Sequence, residues 1–189
     1  MTRTTSLVHG LQKLIELGVQ IDNIIDIGIQ SETHFLKTCF PACFHHLFEA
    51  DEKYAGDIEA NYSRIRHETH FQRVGNDYNL DSHFSTIPPN LLVKIDVDGS
   101  ELEAIDNCRA VIASASIVIV EATIVNLSAR LNAIESLGLR LWGVCDLSYF
   151  HGVLSQVDLV FAAPRLFSDH ELDPWQIHKL DYAHYSTRD

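Results

Sequence analysis

Carboxylates stand where four successive predicted strands end: Asp26 just before Gly28, Glu49 with Asp51, Asp96 with Asp98, and Glu121. Ligands of open parallel sheets bind outside the carboxyl ends of the strands, so we expect these side chains to meet at one edge of a sheet. Carboxylates there can accept hydrogen bonds from hydroxyl groups, hold a hard cation or take up a proton. They form the candidate active site.

The turn at Asp26-Ile27-Gly28 is typical of nucleotide-binding folds, because glycine lets the backbone approach a ligand closely. Glu49 follows at about the 20-residue spacing at which an acidic side chain binds ribose hydroxyls. No second glycine follows Gly28 in the turn, and no P-loop occurs, which disfavours a pyrophosphate. An adenosine cofactor without phosphates and with a positive centre, such as S-adenosylmethionine (SAM), fits this acidic pattern better.

The elements that position these residues alternate between helices and short apolar strands, which predicts a mainly parallel α/β sheet. The predicted strands span 24–28, 46–49, 91–97, 116–121, 140–144 and 157–162. The predicted helices span 7–17, 31–37 (capped by Ser31) and 127–137, with another at 52–62 and one after a Ser100–Glu103 capping box. Residues 63–90 show little periodicity. We expect a single domain over 1–189, with a core at 7–163 and a tail at 164–189 holding a short helix near Trp175.

The composition is that of a folded, acidic protein: 46% of residues are hydrophobic, 21% are charged and the formal net charge is −12. This charge argues against binding nucleic acid or an anionic membrane surface. No apolar run is long enough to cross a bilayer, and the first residues lack the features of a secretory signal. The four cysteines suggest reduced core residues rather than a disulfide framework, and we expect a cytoplasmic protein.

Five segments resemble the FkbM family of SAM-dependent methyltransferases. They are Ile25-Asp26-Ile27-Gly28, Phe48-Glu49-Ala50-Asp51, Leu80-Asp81, Lys94-Ile95-Asp96-Val97-Asp98-Gly99-Ser100-Glu101 and the late stretch from Gly152 to Phe161. The likeness covers roughly residues 7–163, with a shortened middle segment. It implies a class I, Rossmann-like sandwich: a mainly parallel sheet with an antiparallel last strand and helices on both faces.

The resemblance also implies an activity and roles for single residues. The family usually transfers a methyl group to a hydroxyl oxygen of a small molecule or glycan. By that likeness Asp26 and Gly28 lie against the methionine and adenosine parts of SAM, and Glu49 binds the ribose, with Asp51 beside it. Asp96 is then expected beside the reactive methyl group.

The candidate catalytic residues are Asp96, Lys94 and Glu121, with Asp96 the best general base by position and His83 a further loop candidate. Lys94 inside a strand needs a partner, and a structural ion pair with Asp96 or Glu121 is the simpler interpretation. Asp96, Asp98 and Glu121 could instead hold Mg²⁺ together, which we rank below a metal-free site.

Two other classes of function stay open at this point. A non-catalytic Rossmann-like binding or assembly module is supported by Glu32, which stands where the family has a second glycine, and by the short segment between Glu49 and Lys94. A nucleotide-dependent oxidoreductase is disfavoured by the missing glycines. The tail aromatics could cap a substrate cleft or bury against a second subunit in a homo-oligomer: Trp175, Tyr182 and Tyr185.

The run His67-Glu68-Thr69-His70 is not the metalloprotease motif, because its histidines are three positions apart rather than four. We interpret it as a solvated loop face.

Overall fold

The computed structural model describes residues 6–167, which form one seven-stranded sheet in the order β3-β2-β1-β4-β5-β7-β6. The strands are β1 (Asn23–Ile27), β2 (Phe44–Glu49), β3 (His67–Phe71), β4 (Leu91–Ile95), β5 (Ile117–Thr123), β6 (Arg140–Phe150) and β7 (Val153–Ala162). β1 to β5 pair in parallel, whereas β7 runs antiparallel between β5 and β6. The prediction of a mainly parallel sheet with an antiparallel last strand is confirmed.

Seven helices fill the connections among the described residues. They are α1 (Leu7–Glu16), α2 (His34–Cys39), α3 (Ala55–Tyr62), α4 (Leu80–His83), α5 (Glu101–Asp106), α6 (Arg109–Ser114) and α7 (Leu127–Glu135). Short 3-10 turns precede α3 at Glu52–Tyr54 and follow β7 at Pro164–Phe167. No helix in residues 6–167 is long and apolar enough to cross a membrane.

Both faces of the sheet are covered because its central strands are apolar on both sides. Ile25 and Ile27 of β1 belong to a core cluster with residues of α5, α6 and α7, while Ile24 belongs to another with α1 and α2. A smaller cluster joins Leu47 of β2 to α3. Strands buried on both faces read as continuous apolar runs, which is why β1, β4 and β5 could be predicted.

The least periodic part of the chain contains a complete strand. Residues 67–71 form β3, which pairs in parallel with β2. The short segment between β2 and β4 therefore still contributes a strand to the sheet. The interpretation of His67-Glu68-Thr69-His70 as a solvated loop is therefore wrong. β3 escaped prediction because an edge strand that is only half buried shows no apolar run.

Three smaller predictions are also wrong. The second helix begins at His34 after Thr33 and ends at Cys39, rather than spanning 31–37. Ser100 makes no side-chain cap, and Glu103 instead accepts a hydrogen bond from the backbone N–H of Asn76, so the capping box does not form. The two last strands extend into a long hairpin, since cross-strand pairing continues beyond the apolar runs. The predicted helix near Trp175 lies outside the described residues.

Candidate functional site

A cavity of about 270 Å³ opens at the carboxyl ends of β1, β2 and β4. Its lining includes Gly28, Glu49, Asp51, Asp96 and Asp98, together with Phe48. The parallel register explains this meeting: Ile27, Phe48 and Ile95 are aligned across the three strands, so the residues that follow each of them project beyond the same edge. The structure thus brings together four residues predicted to bind the cofactor, Gly28, Glu49, Asp51 and Asp96.

The turn after β1 requires glycine. Gly28 has φ +83°, and its N–H donates to the carbonyl of Phe48 at 2.9 Å. A Cβ atom at this position would lie 1.8 Å from the carbonyl oxygen of Asp96. The absence of a side chain therefore lets β1 and β4 approach each other at the floor of the cavity.

We expect Gly28→Ala to lower the free energy of unfolding by about 3 kcal/mol or more, since both the positive φ and the backbone clash oppose a Cβ. Urea denaturation followed by circular dichroism measures the change. Gly56→Ala is the matched control: Gly56 lies in α3 with open space around its Cβ position, so alanine is expected to be neutral or stabilising there. Equal urea midpoints for Gly28→Ala and the wild type would contradict the argument.

Glu49 is held in place by two backbone groups. The N–H of Gln30 donates to one of its carboxylate oxygens at 2.7 Å and the N–H of Asp51 donates to the other at 2.9 Å. The residue is buried yet lines the cavity. Each carboxylate oxygen has a second lone pair, so the fixed group can still accept two hydrogen bonds from a pair of hydroxyls.

An ion triad lies beside the cavity floor. Asp26 is fully buried and does not line the cavity; its oxygens accept no hydrogen bond from the described residues, and the Nζ of Lys94 lies 3.3 Å away. The same Nζ is 3.2 Å from Asp96, whose carboxylate is partly exposed. Burial works against a charged lysine, but the two carboxylates hold the pKa of Lys94 above its ordinary value. Lys94 is therefore protonated at neutral pH, and its charge lies where it can position Asp96.

A second buried ion pair anchors the loop that carries Asp98. Glu101 and Arg130 contact each other while both are almost fully buried. The other oxygen of Glu101 accepts a hydrogen bond from the N–H of Gly99 at 2.8 Å. Burial disfavours the charged carboxylate, yet its contact with Arg130 keeps the pKa of Glu101 below the usual value. Glu101 thus acts on the loop conformation and does not line the cavity.

Glu121 lies next to Asp96 and Asp98 rather than in the cavity lining. One carboxylate oxygen from each of these three residues lies within 4.8 Å of the others, so the predicted acidic cluster forms. Glu121 accepts a hydrogen bond from Gln156, and Asp158 of β7 is paired directly opposite it. Burial, followed by the charges of Asp96 and Asp158, raises the pKa of Glu121 to about 7.

Asp158 is a further acidic residue beside Glu121 that the sequence pattern does not mark. Burial, then the charges of Asp146 and Asp96, raises its pKa to about 7. It lies in the middle of a strand, so no strand-end pattern marks it. Only the antiparallel register of β5 and β7 brings it to Glu121.

The pair makes stability depend on pH. The pKa values of Glu121 and Asp158 are raised from 4.5 and 3.8 to about 7, so between about pH 4 and 7 the folded chain holds protons that the unfolded chain has released. The contribution of these two groups to stability is therefore expected to fall as the pH rises through this window and to level off above about 7. Asp158→Asn should be more stable than the wild type at pH 8 by about 1–2 kcal/mol, allowing for solvent screening.

Thermal unfolding at pH 5 and pH 8 checks this expectation. The Tm advantage of Asp158→Asn should appear at pH 8 and shrink at pH 5. Asp57→Asn, a change at an exposed carboxylate in α3, is the control and should show no such pH-dependent gain. If the variant were no more stable than the wild type at pH 8, the charged Asp158 carboxylate would not destabilise the folded state.

Other candidates from the sequence lie elsewhere. Asp81 caps α6 by accepting hydrogen bonds from the N–H groups of Ala110 and Val111, each at 2.9 Å. His83 packs against His70 with ring centroids 4.8 Å apart, and neither residue lines the cavity. Glu32 forms an ion pair with Lys37 and stays outside the cavity, so it leaves the predicted cofactor position free.

No protein-family profile matches the chain, and no curated protein matches it. Solved structures do match. An S-adenosylmethionine-dependent methyltransferase from Clostridium acetobutylicum superposes with a TM-score of 0.58 at 8% identity, covering 86% of this chain and 92% of its own. The fold is that of the Rossmann-like methyltransferases.

Two further structures share this fold. A SAM-dependent O-methyltransferase from Thermotoga maritima gives a TM-score of 0.54 at 14% identity, covering 86% of this chain and 68% of its own. The N-methyltransferase NodS from Bradyrhizobium japonicum, solved in complex with S-adenosyl-L-homocysteine (SAH), gives 0.51 at 12% identity, covering 84% and 89%. At such identities the methyltransferase fold is shared, and the chemistry of this chain must be argued from its own residues.

Proposed function

We propose that the chain is a SAM-dependent methyltransferase of FkbM type that methylates a hydroxyl oxygen of a small molecule or saccharide. The observation that carries the proposal is Glu49, a buried carboxylate fixed by the N–H groups of Gln30 and Asp51 with lone pairs left for a ligand diol. It lines the same cavity as the glycine turn and Asp96. Solved structures of the same fold, NodS with SAH among them, support SAM as the cofactor.

The groups that line the cavity suit the functional groups of SAM. Glu49 is placed to accept hydrogen bonds from the ribose hydroxyls, and the bare backbone at Gly28 permits close approach. The partly exposed carboxylate of Asp96 offers a negative charge for a sulfonium centre. Asp26 does not reach the cavity. It would act indirectly, through its ion pair with Lys94, which in turn contacts Asp96. Bound SAM would supply an electrophilic methyl group.

The chain's own residues would then orient the acceptor and receive its proton. Asp96, held by Lys94 at 3.2 Å, is the first candidate for the general base. Glu121 is the second, because a carboxyl with a pKa of about 7 can accept a proton at neutral pH. Positioning by Lys94 keeps Asp96 from turning away from the reacting atoms. We propose this metal-free route, with Mg²⁺ at Asp96, Asp98 and Glu121 left as the lower-ranked alternative.

The acidity of the chain bears on its partners. A net charge of −12 opposes a polyanionic acceptor, so a neutral or cationic small molecule or a saccharide is the proposed substrate class, with no nucleic acid or anionic membrane surface. Association of two copies through the tail aromatics stays a proposal. The complete strand order and the position of Glu32 outside the cavity favour the enzyme over the non-catalytic module.

Calorimetric titration with SAM and SAH tests the proposal. We expect 1:1 binding at micromolar concentrations and a rise in Tm with either ligand. Folded protein that shows neither heat nor a Tm shift would overturn the methyltransferase proposal and favour the binding module. Binding by the wild type would justify a screen of hydroxylated acceptors for SAH release.

A further inference from the structure

A cluster of two histidines and a glutamate lies at the edge of the sheet, outside the cavity described above. Its members are His46 on β2 and the β3 residues Glu68 and His70. The parallel register places His46 beside Glu68, and side chains two positions apart on a strand share a face, so all three project on the same side. One ligand atom from each lies within 4.8 Å of the others.

The ligand atoms of the cluster lie close enough together for one ion to contact all three. The Nδ1 of His46 lies 2.5 Å from an oxygen of Glu68, and the Nε2 of His70 lies 3.1 Å from the same oxygen. Ligand atoms around a tetrahedral Zn²⁺ with bonds of about 2.0 Å are separated by about 3.3 Å. His46 and Glu68 are hydrogen-bonded and lie closer than this, so the flexible Glu68 side chain would give up that hydrogen bond and move outward to seat an ion between the three groups.

A buried nitrogen in the cluster has no hydrogen-bond partner. The Nε2 of His70 is shielded from solvent, and its approach to Glu68 lacks the geometry of a hydrogen bond. A buried nitrogen without a hydrogen bond costs free energy even beside the Glu68 carboxylate, and coordination of an ion would remove that cost. It is an observation independent of the residue types, and it too points to a ligand.

The surroundings also suit a metal ion. The rings of Phe44 and Phe84 lie 4.9 and 5.2 Å from that of His46, and Phe48 stacks on His70 at 4.7 Å. Such an apolar shell around polar ligands strengthens their interaction with a cation. The side chain of Glu68 is 43% exposed, and β3 is the edge strand, so an ion can enter from solvent.

We propose that His46 Nδ1, the Glu68 carboxylate and His70 Nε2 bind one divalent cation of the zinc class. Two imidazoles and one carboxylate are a common ligand set for Zn²⁺ and related transition metals, whereas Mg²⁺ prefers oxygen ligands alone. The ion would join the edge strand β3 to β2. Phe48 stacks on His70 and also lines the cavity, so the bound ion would stiffen one wall of the cavity.

The test uses the full chain, treated with a chelator and titrated with ZnCl₂ by calorimetry and thermal unfolding. We expect one site with micromolar or tighter affinity, a higher Tm with Zn²⁺ and no displacement of Zn²⁺ by excess MgCl₂. Co²⁺ in the same site should give the visible absorption bands of a low-coordinate complex, a readout that needs no enzymatic activity.

Two variants locate the site. Glu68→Gln and His70→Ala should each weaken Zn²⁺ binding roughly 100-fold or more, since each removes one ligand of three. His67→Gln is the control, because His67 lies on the same strand with its side chain on the opposite face, and it should bind Zn²⁺ like the wild type. Full-affinity binding in both ligand variants, or no binding by the folded wild type, would overturn the proposal.

Discussion

Lys94→Met is expected to lower the free energy of unfolding by about 3–5 kcal/mol, because it removes the cation of a buried ion triad. Lys94 Nζ is the cation facing the fully buried carboxylate of Asp26, at 3.3 Å, and it also contacts Asp96. Methionine preserves the volume but leaves Asp26 as an uncompensated charge in the core. Guanidinium denaturation followed by circular dichroism measures the loss.

A second substitution separates charge from packing. In the double variant Lys94→Met/Asp26→Asn the buried charge is gone, and we expect about 1–2 kcal/mol or more of the lost stability to return. Lys13→Met is the control, because Lys13 forms an exposed pair with Glu16 that is worth at most about 0.5 kcal/mol. A double variant no more stable than Lys94→Met would show that the triad does not act through charge balance.

Glu49→Ala is expected to weaken SAH and SAM binding about 100-fold, corresponding to about 2.7 kcal/mol. The substitution removes two charge-assisted hydrogen bonds to a ligand diol and releases the N–H groups of Gln30 and Asp51 that the carboxylate holds. Calorimetry with each ligand measures the change. This prediction rests on the proposed function, since it presupposes that the wild type binds the cofactor.

Two further variants sharpen the result. Glu49→Gln keeps the size of the side chain but places an amide against a backbone N–H, so it should lose affinity by at least about 10-fold. Glu52→Gln changes an exposed carboxylate on the adjacent turn and should bind like the wild type. Unchanged affinity in a folded Glu49→Ala variant would place the cofactor away from Glu49, even if the chain binds SAM.

The strand ends could be predicted because their signal is local. Buried parallel strands appear as short apolar runs, and the residue that follows such a run faces the ligand edge whatever the rest of the chain does. Gly28, Glu49 and Asp96 were found in this way, and the structure places all three around one cavity. The resemblance carried by the segment around Asp96 also predicted a Rossmann-like methyltransferase fold, which the solved structures support.

The edge of the sheet could not be predicted in the same way. β3 is polar and half buried, so His67 to Phe71 carry no apolar run to mark a strand. The sequence contained His46, Glu68 and His70, but their proximity depends on the pairing of β2 with β3 across an intervening helix.

By itself the sequence determined which short segments form buried strands, where those strands end, and that carboxylates follow them. Only the tertiary structure decided which polar side chains become partners: Lys94 with Asp26, Glu121 beside Asp158, and Glu101 with Arg130. The physical reason is the separation along the chain of the residues that interact. Strand formation and termination depend on neighbouring residues, whereas burial and charge pairing depend on strand order and register, which are set by packing between segments far apart in the chain.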